Sequence, residues 1–232
     1  MISFVLPSFN SAPWLAQAVK SAMDQTYRDC EIIIINDAST DSTEQYLTWL
    51  QKQKNRFPVH VINSPVNLGR SASRNLGNMK ASGDICVLDA DDLATPKRAD
   101  LTAQAFAEGH KFVYGSAVMI DAVGRKQGEL QASVFNKDKA LAEGVNRIVH
   151  STIGYTKDIA ERFPYVMGDI SDLGIDDWEQ QVRMMLDGVE FAMIPNTLCA
   201  YRILDSAISK TRDEAKVTAF KKDYLERLRM IA

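Results

Sequence analysis

Residues 84–98 read "DICVLDADDLATPKR", a short apolar run ending in three carboxylates within four positions. A run of this length, rich in β-branched residues and bounded by polar turn formers, predicts a buried strand. Asp89, Asp91 and Asp92 at its tip need a reason. In an extended strand residues two apart share a face, which would aim Asp89 and Asp91 the same way. Unit charges ~4 Å apart repel by ~4 kcal/mol at an effective dielectric near 20. Either some of these acids are protonated or a cation sits between them. Hard oxygen ligands open to a phosphate suit Mg²⁺ or Mn²⁺. The plainer account is an acidic turn before a helix, with Asp92 or Thr95 as N-cap and Pro96 in the first turn. It suits Asp92 better than the other two.

Upstream, "ISFVL" (2–6), "EIIIIN" (31–36) and "VHVIN" (59–63) have the same character. Helical spacing separates them. Trp14, Leu15, Ala18, Val19 and Ala22 share one face, Tyr46, Leu47 and Leu50 another, and a third helix spans about 70–81. Strand–helix alternation with continuously apolar strands predicts a parallel sheet covered by helices. Ligands then gather at the carboxyl ends of the strands. Downstream the pattern predicts a helix over 97–108 and a strand over 111–121, with "GRKQG" (124–128) as the turn after it. It further predicts a helix over 175–188 stopped by Gly188, strands at 190–194 and 197–203, and a last helix over about 213–231. Residues 132–150 stay ambiguous. On the last helix Val217, Phe220, Tyr224, Leu228 and Ile231 share a face, opposite Lys221, Lys222, Arg227 and Arg229. That helix reads as a lid packed on the domain, with docking on a membrane surface as the alternative.

The strand ends carry the remaining chemistry. In "NDASTD" (36–41), Ser39 or Asp41 can cap the next helix, whereas Asp37 lies at the strand tip and can accept from the imide N–H of a base such as uracil. "PSFN" (7–10) offers Ser8, Asn10 and backbone groups to a ribose or base, or is simply a turn. "NLGRSASRN" (67–75) runs from Gly69 into a helix on which Arg70 and Arg74 share a face, a good neighbourhood for a diphosphate or else a solvated basic face. Asn75 reads as a cap or a bridge between loops. His150, in "RIVHSTIGY", could meet an acceptor or a metal, and a structural hydrogen bond is the preferred reading. Trp14 and Trp49 fall in helices, where burial is the simpler account, and Trp178 accompanies an acidic pair.

Composition narrows the rest. The chain has 232 residues, 46% hydrophobic and 25% charged, which suits one large or two small globular domains. With a formal charge of −3 it has no basic field for nucleic acid. No apolar run nears the ~18 residues of a membrane span. "MISFVLPSFN" lacks the basic start and apolar stretch of a signal peptide, so a cytoplasmic chain is expected. Cys30, Cys86 and Cys199 are far apart and read as buried thiols.

Taken in order, "FVLPSFN", "IIINDASTD", "NLGRSASRN", "GDICVLDADD" and "IDDWEQQVRM" (175–184) resemble the motifs of family 2 glycosyltransferases, and "YRILDSAISK" (201–210) resembles the Tyr-Arg segment near the end of their catalytic domain. The resemblance covers residues 1 to about 210. It implies an α/β GT-A fold: a Rossmann-like, mostly parallel central sheet with helices on both faces and a smaller acceptor-side lobe. The expected division is 1–92 for the nucleotide, 93–212 for the acceptor and 213–232 for the last helix, all in one domain. It implies a nucleotide-diphosphosugar donor, usually a UDP-sugar, and an inverting transfer to a glycan, lipid-linked or other hydroxyl acceptor, cell-surface polysaccharide among them. Carried over by position, Pro7, Ser8 and Asn10 surround the nucleoside and Asp37 contacts the base. Arg74 lies near the diphosphate or the donor site, Asp89, Ala90 and Asp91 form the DXD segment with Asp89 and Asp91 on Mn²⁺ or Mg²⁺, and Asp177 is the general base. Peripheral contact with the inner membrane face and homo-oligomerisation stay open. Three positions depart from the family. Asn36 stands for a frequent aspartate. Ala38 replaces a common glycine, so its turn takes negative φ or accepts strain. Leu204 replaces a frequent histidine and can bind neither metal nor phosphate.

The chemistry needs two things besides the donor. The leaving diphosphate must have its growing charge stabilised, and the incoming hydroxyl must lose a proton to a group within reach. Asp176 and Asp177 could instead be first-turn acids favourable to the helix dipole. A sugar nucleotidyltransferase would want a glycine- and lysine-rich loop after the first strand, and "PSFNSAPW" is neither. A binding module without turnover is the other alternative, and Leu204 is its support.

Overall fold

The computed structural model describes residues 1–144, 148–205 and 213–231. Its centre is a nine-stranded sheet. In chain order the strands are β1 (Ile2–Ser8), β2 (Cys30–Asp37), β3 (Val59–Ser64), β4 (Asp84–Val87), β5 (Leu93–Ala94), β6 (Phe112–Ile120), β7 (Lys126–Leu130), β8 (Gly154–Tyr155) and β9 (Phe191–Arg202). They lie in the order β3-β2-β1-β4-β8-β6-β9-β5, with β7 paired to β6. The pairings β1–β2, β2–β3, β1–β4 and β6–β9 are parallel and make up most of the ladder. The short pairings made by β5, β7 and β8 are antiparallel. One sheet therefore runs through both halves of the chain.

Strand alternation explains the two-sided core. Phe4, Leu6, Ile32 and Ile34 face α1 (Leu15–Met23) and α2 (Thr43–Gln51). Val5, Ile33 and Ile35 face the opposite way, into a cluster with Trp178, Val182 and Met185 of α8 (Asp176–Leu186) and Val217 and Leu225 of α9 (Glu214–Ile231). Every residue of β2 is buried, as expected for a parallel strand covered on both faces. The helix α3 (Arg70–Lys80) lies so close to the sheet that a Cβ on Gly77 would stand 2.4 Å from Val5 Cγ1 and 2.7 Å from Ile35 Cδ1. The remaining helices are α4 (Arg98–Ala107), α5 (Lys137–Glu143), α6 (Lys157–Arg162) and α7 (Asp169–Asp172).

Several expectations change. Pro195 and Asn196 do not separate two strands: β9 is continuous, and the two residues bulge between the pairs Gly115↔Ile194 and Ser116↔Thr197. Proline has no N–H to give the ladder, so the bulge is where it fits. The turn after β6 is shifted back from 124–128: Asp121 closes it by accepting from the Val123 and Arg125 amides, and β7 resumes at Lys126. The helix expected from 97 begins at Arg98 with Lys97 as N-cap and no side-chain cap, so neither Asp92 nor Thr95 caps it. The reason is β5, which intervenes and pairs with β9. Asp41 does accept from the amide of Thr43, the first residue of α2. Trp49 is not buried but 55% exposed, leaning on Tyr46. The last helix packs as a lid. Tyr224 donates to Glu179 of α8 at 2.6 Å, and Lys221 turns inward over the Trp178 ring. The side chains of Arg229 and Ile231 and residues 206–210 of the Tyr-Arg segment lie outside the described residues. The three cysteines are free and buried.

Ala38 settles its own question: φ is +57°, so the turn accepts strain. A left-handed non-glycine residue costs ~1–2 kcal/mol, partly balanced in any glycine replacement by ~0.5–1 kcal/mol of added backbone entropy. Ala38→Gly should therefore raise the denaturant midpoint, with a net gain of up to about 1 kcal/mol. Gly77→Ala should lower stability by about 1–3 kcal/mol through overpacking, read in the same unfolding experiment.

Candidate active site

Most of the candidate residues meet at the carboxyl edge of β1, β2 and β4. A cavity of about 1060 Å³ opens there, lined among others by Pro7, Ser8, Asn10, Asp37, Arg74, Asp89, Ala90, Asp91 and Asp177. Each arrives for a local reason. Asn10, at the tip of β1, takes φ +49°, a conformation asparagine tolerates better than most residues. Its carboxamide oxygen accepts from the amides of Thr40 and Asp41, which ties the β1 loop to the β2 loop. Asn10 is thus engaged in loop-to-loop bonds. Ser8 is buried, and its Oγ has no hydrogen-bond partner among the described residues. Asp37 is 4% exposed, and its carboxylate accepts from the backbone N–H of Leu68 at 2.6 Å and of Gly69 at 3.0 Å. Those two bonds aim the loop before α3 and place Gly69, at φ +83°, as its N-cap.

The three acids of the opening stretch do not sit on a strand. β4 ends at Val87, and Asp89–Asp92 form a turn closed by the Asp92 N–H donating to the Asp89 carbonyl at 3.1 Å. Asp89 and Asp91 still line the same cavity, but the turn brings them there, not strand alternation. Asp92 points away, and its Oδ1 accepts from the Arg202 amide at 2.7 Å. Arg202, 1% exposed, donates in turn to the carbonyls of Asp91, Asp121 and Ala122. It fixes the turn to the β6–β7 hairpin and to β9.

The arginines are not solvated. Arg74 donates to Asp89 Oδ1 at 2.8 Å and to Asp176 Oδ2 at 2.7 Å, while Arg70 donates to Asp176 Oδ1 at 2.6 Å. Asp176, the partner that sequence reasoning missed, stands on the first turn of α8 with its side chain only 2% exposed. Its neighbour Asp177 lines the cavity with its side chain 29% exposed. A signal was present, since two arginines four apart and two adjacent acids each invite partners. The hundred residues between them hid the match. Arg74 therefore reaches the site's chemistry through Asp89. Asn75 bridges as expected, exchanging two hydrogen bonds with the backbone of Tyr165.

The charges follow from this wiring. Burial pushes Asp89 up, but Arg74 outweighs it and holds the carboxyl down at about 2. Burial and then the Asp89 charge push Asp91 up to about 6. Burial, Asp91 and Asp89 raise Asp92 well above the carboxylate range. Burial opposes the charge on Asp176, and Arg74 and Arg70 overcome it to lower its pKa. Among the described residues no group of three or more His, Cys, Asp or Glu is placed to hold a metal by itself. Two carboxylates suit Mg²⁺ or Mn²⁺ when phosphate oxygens and water complete the shell, so Asp89 and Asp91 fit a cation shared with a diphosphate. Burial and then the Asp89 charge oppose ionisation of Asp91, and a bound cation would favour it. Leu204, 9% exposed, forms part of the cavity wall and supplies no ligand. Trp14, expected in the core, is half-buried at the cavity edge, and His150 lines it too.

This fold, with its acidic, arginine-braced cavity, defines a GT-A type α/β protein. Residues 3–163 match the profile of glycosyl transferase family 2, and the chain belongs to that family. Over 143 residues it is 29% identical to the GalNAc(5)-diNAcBac-PP-undecaprenol beta-1,3-glucosyltransferase of Campylobacter jejuni, covering 61% of this chain and 46% of that protein. Over 232 residues it is 27% identical to the uncharacterized glycosyltransferase YwdF of Bacillus subtilis, covering 98% of this chain and 82% of that one. The chain spans 20%, 46% and 44% of the length of the first three curated relatives it matches. In fold it resembles Staphylococcus aureus TarS in complex with UDP-GlcNAc, with a TM-score of 0.68 and 15% identity over 97% of this chain and 65% of that one. It also resembles the mannosyltransferase PcManGT of Pyrobaculum calidifontis in complex with GDP-Man and Mn²⁺, with a TM-score of 0.65 and 18% identity over 89% and 58% of the two chains. Among the described residues no helix is long and apolar enough to cross a membrane.

A carboxyl whose folded pKa is raised destabilises the fold once it ionises, so the penalty grows as pH rises from about 4 to about 6. Asp91→Asn should raise the melting temperature at pH 7, by about 2–4 °C for each kcal/mol relieved, and leave it unchanged at pH 4. Differential scanning calorimetry at the two pH values checks this.

Proposed function

We propose that this chain transfers a hexosyl or N-acetylhexosaminyl group from a UDP-sugar to the hydroxyl of a glycan, lipid-linked or other acceptor, with inversion. One observation carries the reading: Asp37, Asp89, Asp91 and Asp177, from three separate segments, line a single cavity at the sheet's carboxyl edge. In this reading Pro7, Ser8 and Asp37 hold the nucleoside, with Asp37 using oxygen lone pairs that its two backbone partners leave open. Asn10 shapes that subsite by fixing the two loops. Asp89, Ala90 and Asp91 meet the diphosphate, and Asp89 and Asp91 would hold Mn²⁺ or Mg²⁺. The cation, when bound, offsets the negative charge that gathers on the leaving diphosphate.

Asp177 receives the acceptor proton. As the hydroxyl oxygen attacks the anomeric carbon, the bond from that carbon to the diphosphate oxygen breaks, and the hydroxyl proton passes to the Asp177 carboxylate. A single displacement of this kind inverts the anomeric centre. The turn that carries Asp89 and the helix that carries Asp177 are braced to each other by Arg74, with Arg70 adding a second hold on the helix, which favours a fixed attack geometry. The relatives and neighbours support the donor class, since their names include a glucosyltransferase and complexes with UDP-GlcNAc and GDP-Man. Action on a lipid-linked acceptor would bring the chain to the inner face of the membrane as a peripheral protein. The competing reading is a nucleotide- or glycan-binding module without turnover, and Leu204 in the cavity wall favours it.

Thermal shift with UDP- and GDP-sugars, with and without Mn²⁺, identifies the donor, because a ligand stabilises by RT ln(1 + [L]/Kd). With that donor, Asp177→Asn should lower turnover by about 10²–10⁴-fold while the calorimetric affinity for UDP with Mn²⁺ stays the same. Metal-dependent binding with no turnover in the unsubstituted chain would decide for the binding module.

A further inference from the structure

His150 belongs to none of the motifs shared with the family, yet it stands beside Asp177 in the cavity wall. It opens a 3-10 turn, His150–Thr152, and its side chain is 10% exposed. Its Nδ1 is buried and has no hydrogen-bond partner among the described residues, and Asp177 Oδ2 lies 3.9 Å from it. On the other side of the ring, Nε2 is 3.3 Å from the Tyr165 hydroxyl. Tyr165 continues to the Tyr155 hydroxyl at 3.2 Å, whose oxygen accepts from the Asn78 amide at 3.0 Å. The imidazole also stands edge-on to the Tyr165 ring, with 78° between the planes.

The positions of the protons follow from matching donors to acceptors. Burial and then the Arg74 charge lower the pKa of His150, which favours the neutral ring with one N–H and one lone pair. A proton on Nε2 would leave the Nδ1 lone pair facing a carboxylate, acceptor against acceptor. A proton on Nδ1 gives each hydroxyl an acceptor and turns a donor toward Asp177. Nδ1–H faces Asp177, Nε2 accepts from the Tyr165 O–H, Tyr165 oxygen accepts from the Tyr155 O–H, and Tyr155 oxygen accepts from Asn78. Burial raises the pKa of both tyrosines, so both remain hydroxyl donors.

We infer that His150 is a positioning residue for Asp177: the tyrosine chain behind the ring holds it as the Nδ1–H tautomer, and that N–H orients the carboxylate that receives the acceptor proton. This rests on the role proposed for Asp177. At 3.9 Å the contact is longer than a hydrogen bond, and catalytic contacts of this length commonly tighten when substrate binds. The remaining oxygen of Asp177 is then left for the acceptor hydroxyl.

Two measurements on the full chain test the assignment. The first is long-range ¹H–¹⁵N NMR of the three histidines, with the His150 ring identified by its loss in His150→Asn. The expected result is a neutral ring protonated on Nδ1, whose nitrogen shifts move in Asp177→Asn. An Nε2–H ring, or shifts that ignore Asp177→Asn, would overturn the inference. The second is release of nucleoside diphosphate from a panel of UDP- and GDP-sugars. His150→Phe keeps the shape without the donor and should lower kcat by about 10–100-fold at unchanged donor KM. His150→Asn carries an amide N–H where Nδ1 stood and should recover most of the loss. Equal activity in the Phe and Asn variants would also overturn the inference. An unsubstituted chain without turnover on any of these sugars counts against the transferase reading, while the nitrogen shifts still decide the tautomer.

Discussion

The site depends on one buried cation held between two anions. Arg74 lies between Asp89, at the end of β4, and Asp176, at the start of α8, and those two elements share no sequence neighbourhood. Taking three charges out of water is costly, and the geometry repays the cost only because the guanidinium meets both carboxylates at hydrogen-bond distance. Removing Arg74 would leave Asp89 without its cation, a loss of about 3–5 kcal/mol. Arg70 adds a second hold on Asp176, so α8 is clamped to the N-terminal turn of α3. The same clamp depresses Asp89 and thereby loads the repulsion onto Asp91. One carboxylate stays charged by virtue of its arginine, and the next is raised by burial and then by its charged neighbour.

The parallel half of the fold was legible because its signal is local. β1 to β4 and α1 to α3 each carry their own periodicity, and the strand ends fell where polar turn residues begin. The second half was less so. β5 and β8 are two-residue strands defined by partners far away in sequence, and nothing local in "LA" or "GY" announces them. The site divides the same way. Pro7, Ser8, Asp37, Asp89 and Asp91 could be placed because each lies at or just after the end of a strand. Asp176 could not be told from an acid favourable to the helix dipole, since its partners are arginines on another helix. Trp49 misled because helical phase gives a face but not what covers it.

Strain gathers where the loops after β1 and β2 meet. Asn10 and Ala38 are the non-glycine residues with positive φ among those described, and they stand at the ends of neighbouring strands. The Asn10 carboxamide and the Ser39 hydroxyl join their loops directly. Cross-bracing of this kind over-determines the two turns, which is the condition under which unfavourable backbone angles persist. A cavity built from such loops is set before any ligand arrives.

Adjacent residues on a helix project about 100° apart. At the head of α8 that angle separates Asp176, locked against the arginines, from Asp177, facing open space. Helical pitch thus works as a protractor, and no flexible loop intervenes between the braced acid and the one that faces the cavity. The β6–β7 hairpin, by contrast, forms the cavity rim with exposed side chains and a turn of its own. Substitutions on that rim would leave the angle between Asp176 and Asp177 undisturbed. On the proposed reading, selectivity and chemistry would then be separately heritable traits.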